Sequence, residues 1–97
     1  MNLRYTLPAL ADLDEILTHI ATHSPRGAMH VQARIKAITD LLLRHPRIGA
    51  LTNDPTIRRI TTSPYPYLVF YEVADAEVIV HAVRHGARDP LGMPGSE

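Results

Sequence analysis

Tyr65-Pro66-Tyr67-Leu68-Val69-Phe70-Tyr71-Glu72-Val73, the polar turn Ala74-Asp75-Ala76, and Glu77-Val78-Ile79-Val80-His81-Ala82-Val83-Arg84-His85 decide the fold of this chain. Two runs rich in β-branched and aromatic residues, joined by a few polar ones, form the pattern of a β-hairpin. This one holds three of the four tyrosines and the single phenylalanine. The rest of the chain is expected to pack against that hairpin or extend it.

Immediately before it, Ser63-Pro64-Tyr65-Pro66 is a turn, and Thr56-Ile57-Arg58-Arg59-Ile60-Thr61-Thr62 is β-branched apart from its arginines, which predicts a strand at the edge of the sheet. Links this short allow only antiparallel pairing, so these three strands form a meander. Residues 46–55 carry several turn formers and read as a loop. Further back the period changes from two to between three and four. Ala28, Val31, Ile35, Ile38 and Leu42 mark one face of a helix opened by Ser24-Pro25 and closed before His45-Pro46. Leu10, Leu13, Leu17 and Ile20 mark a second helix from about 8 to 23, with Asp12, Asp14 and Glu15 placed early to suit its dipole. Leu3, Tyr5 and Leu7 alternate with polar residues as a first strand. The expected class is α+β: an N-terminal strand, an antiparallel helical hairpin, then a three-stranded antiparallel meander.

At 97 residues the chain suits one domain, expected over residues 1–90, with the Gly- and Pro-rich residues 91–97 as a tail. Ten basic residues balance ten acidic ones, which leaves no net-charge footprint for nucleic acid. All the basic residues but Lys36 are arginines, whose planar fork suits carboxylate or phosphate pairing. Cysteine is absent, which removes disulfides, thiol catalysis and thiolate metal sites. No apolar run has the length of a membrane span and the N-terminus has no signal-peptide core, so a cytoplasmic protein is expected.

Four groups of residues invite chemistry. His19 and His23 lie four apart on the first helix, a spacing able to hold a metal when a third ligand approaches. They fall opposite the leucine stripe with no carboxylate motif, so they read as a solvated face, and neither a metal nor a cofactor is expected. Arg58 and Arg59 point to opposite faces of a regular strand, so only one can face the core. Arg84, His85 and Arg88 gather at the end of the last strand. A histidine beside guanidiniums can act as base there, while the cations stabilise a phosphoryl transition state. Tyr65, Tyr67 and Tyr71 can stack on bases or bury against a partner. Tyr67 and Tyr71 share a face with Val69 and Val73, which favours core or partner surface.

The element order resembles a known family. Together with Pro8-Ala9-Leu10-Ala11-Asp12-Leu13, His45-Pro46-Arg47-Ile48-Gly49, Tyr65 to Val73 and Val83-Arg84-His85-Gly86-Ala87-Arg88-Asp89-Pro90, it is similar to the RelE/ParE toxins of bacterial type II toxin–antitoxin systems over residues 3–90. The resemblance implies a cognate antitoxin partner in a hetero-oligomer, and one of two activities on one fold. RelE-like members cut mRNA on the ribosome, whereas ParE-like members bind and poison DNA gyrase.

By the resemblance, Arg59 falls near a RelE-type lysine and Arg88 matches a RelE-type arginine, and with His85 they would form the catalytic set of a ribosome-dependent mRNA endonuclease. Leu68, however, stands where such nucleases carry arginine, and Pro94 lies near the place of a catalytic tyrosine in some members. Both departures, with the neutral net charge, point to the ParE-like branch, a toxin that is not an enzyme. Its expected partner-binding residues are Arg58, Arg59, Tyr65, Tyr67, Arg84, His85 and Arg88. A third possibility by resemblance is a non-toxic member kept as an antitoxin partner.

Overall fold

In the computed structural model, residues 1–86 are described; Arg88, Asp89 and the expected tail lie outside them. The elements run β1 (Asn2–Tyr5), α1 (Leu7–Ala21), α2 (Pro25–Arg44), β2 (Ala50–Leu51), β3 (Arg58–Thr61), β4 (Tyr67–Ala74) and β5 (Glu77–His85). They build a five-stranded sheet in the order β1-β5-β4-β3-β2. The β3-β4-β5 meander is antiparallel, as expected, and β1 adds to it parallel to β5, with Leu3 opposite Val78 and Tyr5 opposite Val80.

Both helix starts follow from their caps. The Thr6 hydroxyl accepts the Ala9 N–H at 3.2 Å and the Ser24 hydroxyl accepts the Gly27 N–H at 2.9 Å, each satisfying one orphan donor of a first turn that also contains proline. α2 buries the expected stripe: Val31, Ile35, Ile38 and Leu42 are all nearly inaccessible, joined by Thr39. Full burial of such a side chain stabilises by about 2 to 3 kcal/mol before entropy is charged.

Three expectations need correction. Residues 46–55 are not all loop, because Ala50 and Leu51 pair with Arg59 and Arg58 as β2, so β3 is not the sheet edge. α1 does not bury its leucine stripe. Its fully buried residue is Ala9, with Ile16 packed against the same Val69, Val80 and Val83, while Leu10 stays 47% exposed. A small residue at the contact lets the helix approach the sheet closely, and the bulkier leucines turn towards α2 and solvent. The acids of α1 also do not serve its dipole, since the helix starts at Leu7 and no acidic residue falls in its first turn.

A register shift between Phe70 and Tyr71 makes His81 an extra residue, because Phe70 pairs with Ala82 but Tyr71 with Val80. Without that bulge Val80 and Val83, three apart, would point to opposite faces; with it both join the cluster under α1. Ile38, Leu42, Tyr71 and Val78 form a second cluster on the helix side, bridged to the first by Leu3 and Ile60. A third cluster, Ile57, Phe70 and Ala82 with Leu68 against it, includes no helical residue and belongs to the other face of the sheet.

Candidate functional site

Arg58 lies opposite Tyr71 in the β3–β4 register and Arg59 opposite Phe70, so the pair divides between the faces as the alternation requires. Arg58 is consumed by the fold. Its Nη1 donates to the carbonyls of Arg47 at 3.0 Å and Gly49 at 2.9 Å, holding the connection between α2 and β2. The Tyr71 hydroxyl works on the same connection, donating to the Pro46 carbonyl at 2.7 Å and accepting the Gly49 N–H at 2.9 Å. Burial pushes the Tyr71 phenol above its ordinary range, opposed by the Gly49 hydrogen bond and the Arg58 charge. These carbonyl contacts of Arg58, one of the expected partner-binding residues, leave no mark in the sequence.

Arg59 remains exposed on the non-helical face, beside the apolar Leu68, Phe70, Ala82 and Ile57. Arg84 sits across from Leu68 in register, but its guanidinium reaches to the Asp12 carboxylate on α1 at 3.4 Å. The reason is a gap beside β5. β1 pairs only as far as Tyr5, and beyond it side chains serve the backbone of β5: the Thr6 hydroxyl donates to the His81 carbonyl at 3.4 Å, and the Asp12 carboxylate accepts the Val83 N–H at 3.1 Å. Asp12 thus stands in for a neighbouring strand, and Arg84 neutralises it. The Arg84 Nε is buried without an acceptor among the described residues.

Tyr67, Arg84 and His85 do meet, bordering a cavity of about 420 Å³ together with Asp12, Glu15 and His19. The Tyr67 and His85 rings lie edge to face, with centroids 5.5 Å apart. Tyr65 is half-buried in the preceding turn, where its N–H donates to the Thr62 carbonyl at 3.0 Å. Of the catalytic set expected for an endonuclease, Arg59 and His85 lie at different places: the face opposite the helices and the cavity beside α1. Arg88 lies outside the described residues. Among the described residues no group of three or more His, Asp or Glu side chains could hold a metal, and no helix is long and apolar enough to cross a membrane.

A second site was not singled out from sequence. Between the helices and β1 runs a groove of about 550 Å³ whose walls include Leu3, Tyr5, Leu13, Met29, Ala33 and Ile35. Its lining is mainly apolar, with Lys36 and Asp40 at its border. Met29 is 68% exposed, and Leu7 and Leu10 of α1 are also exposed. Burial pushes the Tyr5 phenol upward, with Thr39 lowering and Asp40 raising it as smaller influences. The signal that could have found the groove is a stripe of four leucines and isoleucines on α1 competing with a single alanine for one sheet surface. Apolar surface left open between two helices is the form of a docking site for another chain.

Residues 3–90 match the family model described as the ParE toxin of the type II toxin–antitoxin system parDE. The chain is 38% identical over 84 residues to Toxin RelE2 of Caulobacter vibrioides, covering 87% of this chain and 93% of that protein. It also shares its fold with a chain of a chromosomal ParDE system from P. aeruginosa, at a TM-score of 0.76 and 24% identity, over 88% of this chain and 95% of that one.

Proposed function

Because the chain belongs to the ParE toxin family of type II toxin–antitoxin systems, we propose that it arrests growth by binding DNA gyrase in the cytoplasm, without cutting RNA, and that its antitoxin silences it in a hetero-oligomer. A single toxin domain over residues 1–90 carries both interactions. The observation that carries the reading is the character of the sheet face opposite the helices. An RNA-cleaving surface needs cations positioned where phosphate charge develops. Here Leu68, Phe70, Ala82 and Ile57 occupy that face, Arg59 is left at its side, and Arg84 is drawn away to Asp12. Phe70, Ala82 and Ile57 are buried within the fold, so that face offers a partner the exposed Arg59 beside the half-buried Leu68, a contact suited to protein rather than to a phosphate chain.

The antitoxin docks on the groove between α1, α2 and β1. An amphipathic segment laid there covers Met29, Leu13 and Ala33, apolar area that the fold leaves open. The test is a supercoiling assay with purified toxin, with and without antitoxin. Inhibition relieved by antitoxin is expected; full supercoiling activity in the presence of free toxin overturns the gyrase assignment.

One observation favours a second reading, a ribosome-dependent endoribonuclease. Among the described residues the Arg84 Nε has no acceptor beside a cavity bordered by His85 and Tyr67, and a phosphate oxygen would supply one. In this reading His85 abstracts or returns a proton at that cavity while Arg84 holds the phosphate. Primer extension on mRNA from a translation extract separates the two. Cuts that appear with the toxin and vanish with His85→Ala establish the nuclease and remove the binding-only reading.

A further inference from the structure

The two histidines at the end of α1 are arranged more closely than a solvated face requires. Thr22 closes the helix with right-handed backbone angles, φ −64° and ψ −23°, and the His23 N–H donates to the Ile20 carbonyl at 3.0 Å, so the spiral continues through His23 in a tightened turn. His19 and His23 therefore stack on one side, with ring centroids 5.4 Å apart and planes inclined at 59°. Two imidazoles that share one metal ion at about 2.1 Å per nitrogen have centroids about 5 Å apart. The observed centroid spacing is close to that value.

The surroundings favour one nitrogen of His23 as the metal ligand. The His23 Nδ1 lies 3.2 Å from the His19 carbonyl and 3.0 Å from the Thr22 hydroxyl, which itself donates to that carbonyl at 2.6 Å. When Nδ1–H donates to that carbonyl, the lone pair lies on Nε2 and is available to a metal ion. A backbone carbonyl holding the far nitrogen is the usual support of a metal-binding histidine, setting both its tautomer and its orientation. Both rings are exposed and stand at the negative end of the α1 dipole, which favours a cation. Glu15, one turn earlier, borders the same cavity as His19 and adds a negative charge nearby.

We infer that His19 and His23 form a two-histidine chelate for a borderline divalent transition ion such as Zn²⁺, Ni²⁺ or Cu²⁺, its remaining positions filled by water or by a donor from a bound partner. Imidazole ligands select these ions over Mg²⁺ and Ca²⁺. Two ligands make an open site, and among the described residues no third His, Asp or Glu completes it. The bound ion would clamp the last turn of α1 to the short connection that leads into α2. The inference is independent of the target of the toxin.

The experiment titrates the full chain with Zn²⁺ alone, followed by calorimetry and by the NMR shifts of the six imidazoles. One equivalent is expected to bind, moving the His19 and His23 signals first. His19→Ala and His23→Ala should each weaken binding at least tenfold, Thr22→Val several-fold, and His30→Ala, on the next helix, not at all. Because these side chains are exposed, the variants should unfold at the wild-type temperature without zinc. The stabilisation that zinc gives the wild type should be lost in His23→Ala. Undiminished zinc binding in the double variant His19→Ala/His23→Ala, or shifts confined to other histidines, overturns the inference.

Discussion

Tyr71 and Tyr5 both lie on strands of the same sheet, and burial raises the pKa of both phenols, yet they stand in opposite kinds of surroundings. Tyr71 is inaccessible, and its hydroxyl has a donor and an acceptor from the backbone within 2.9 Å, with Arg58 closing the same corner. Tyr5 is half-buried in a groove whose apolar walls the chain leaves uncovered. In the corner the Tyr71 hydroxyl and the Arg58 Nη1 are spent on the fold. The groove is the reverse, since its apolar atoms gain nothing until another chain arrives. Side-chain identity alone therefore misleads. Arg58 and Tyr71 tie the fold together, while leucines of α1 that look like core lie at the surface.

The contrast is broken most forcefully at Gly49. A Cβ there would meet the Tyr71 hydroxyl at 2.5 Å, its ring at 2.7 Å and the Arg59 carbonyl at 2.9 Å, with the tyrosine fixed by the hydrogen bonds that define the corner. Gly49→Ala should destabilise by about 3 kcal/mol or more, read as a lowered midpoint in urea with an unchanged slope. Tyr71→Phe keeps the ring and removes only the hydroxyl. It leaves the Gly49 N–H and the Pro46 carbonyl without their partner, at a cost of about 2 kcal/mol near neutral pH. The sign of its pH dependence follows from the raised pKa. The folded protein holds the phenol proton more tightly than the unfolded chain, so this contribution is complete below the ordinary value of 10.0 and fades as pH rises through the higher folded value. The stability gap between wild type and Tyr71→Phe should narrow above about pH 10.

This also explains which parts of the molecule were legible in its sequence. α2 was readable because Ser24, Pro25, the Val31-to-Leu42 stripe and Pro46 all agree on one helix. The β4–β5 hairpin was readable for the same reason. β2 was not, because two residues carry no period and exist as a strand only through their pairing with β3. The rotation of α1 was hidden because periodicity reports an apolar stripe, not which part of it a small sheet can cover. The bulge at His81 and the capture of Arg84 by Asp12 depend on contacts between residues 71 or more positions apart, or on one extra residue in a strand. At the candidate site, the division of Arg58 and Arg59 between faces was readable from alternation; the spending of Arg58 on loop carbonyls was not.

On the groove side the expected signature is inverted: binding is lost and stability is kept. Met29 is 68% exposed on the groove wall, so Met29→Glu buries nothing new in the free toxin and should change its stability by less than about 0.5 kcal/mol. In the complex it places a carboxylate against apolar antitoxin surface. A loss of affinity of about 30-fold, roughly 2 kcal/mol, is expected by calorimetry with the purified antitoxin. Wild-type affinity for this variant would move the docking surface elsewhere.

The smallest effect belongs to the border of the groove. Lys36 and Asp40 face each other across one helical turn at 3.1 Å, with side chains 74% and 46% exposed. Such a pair is screened and costs side-chain entropy to hold, so Lys36→Ala should change stability by only about 0.3 kcal/mol. Its influence on the complex should be kinetic. A border charge acts on the approach of the partner over distances of a Debye length, whereas the apolar walls act only once water has left. Lys36→Ala is therefore expected to alter the association rate about two-fold at low salt and hardly at all at high salt, with the dissociation rate unchanged. Met29→Glu should act chiefly on dissociation. If stopped-flow measurements showed Lys36→Ala acting mainly on dissociation, Lys36 would lie inside the buried contact, and the groove would be covered more deeply than its apolar lining alone requires.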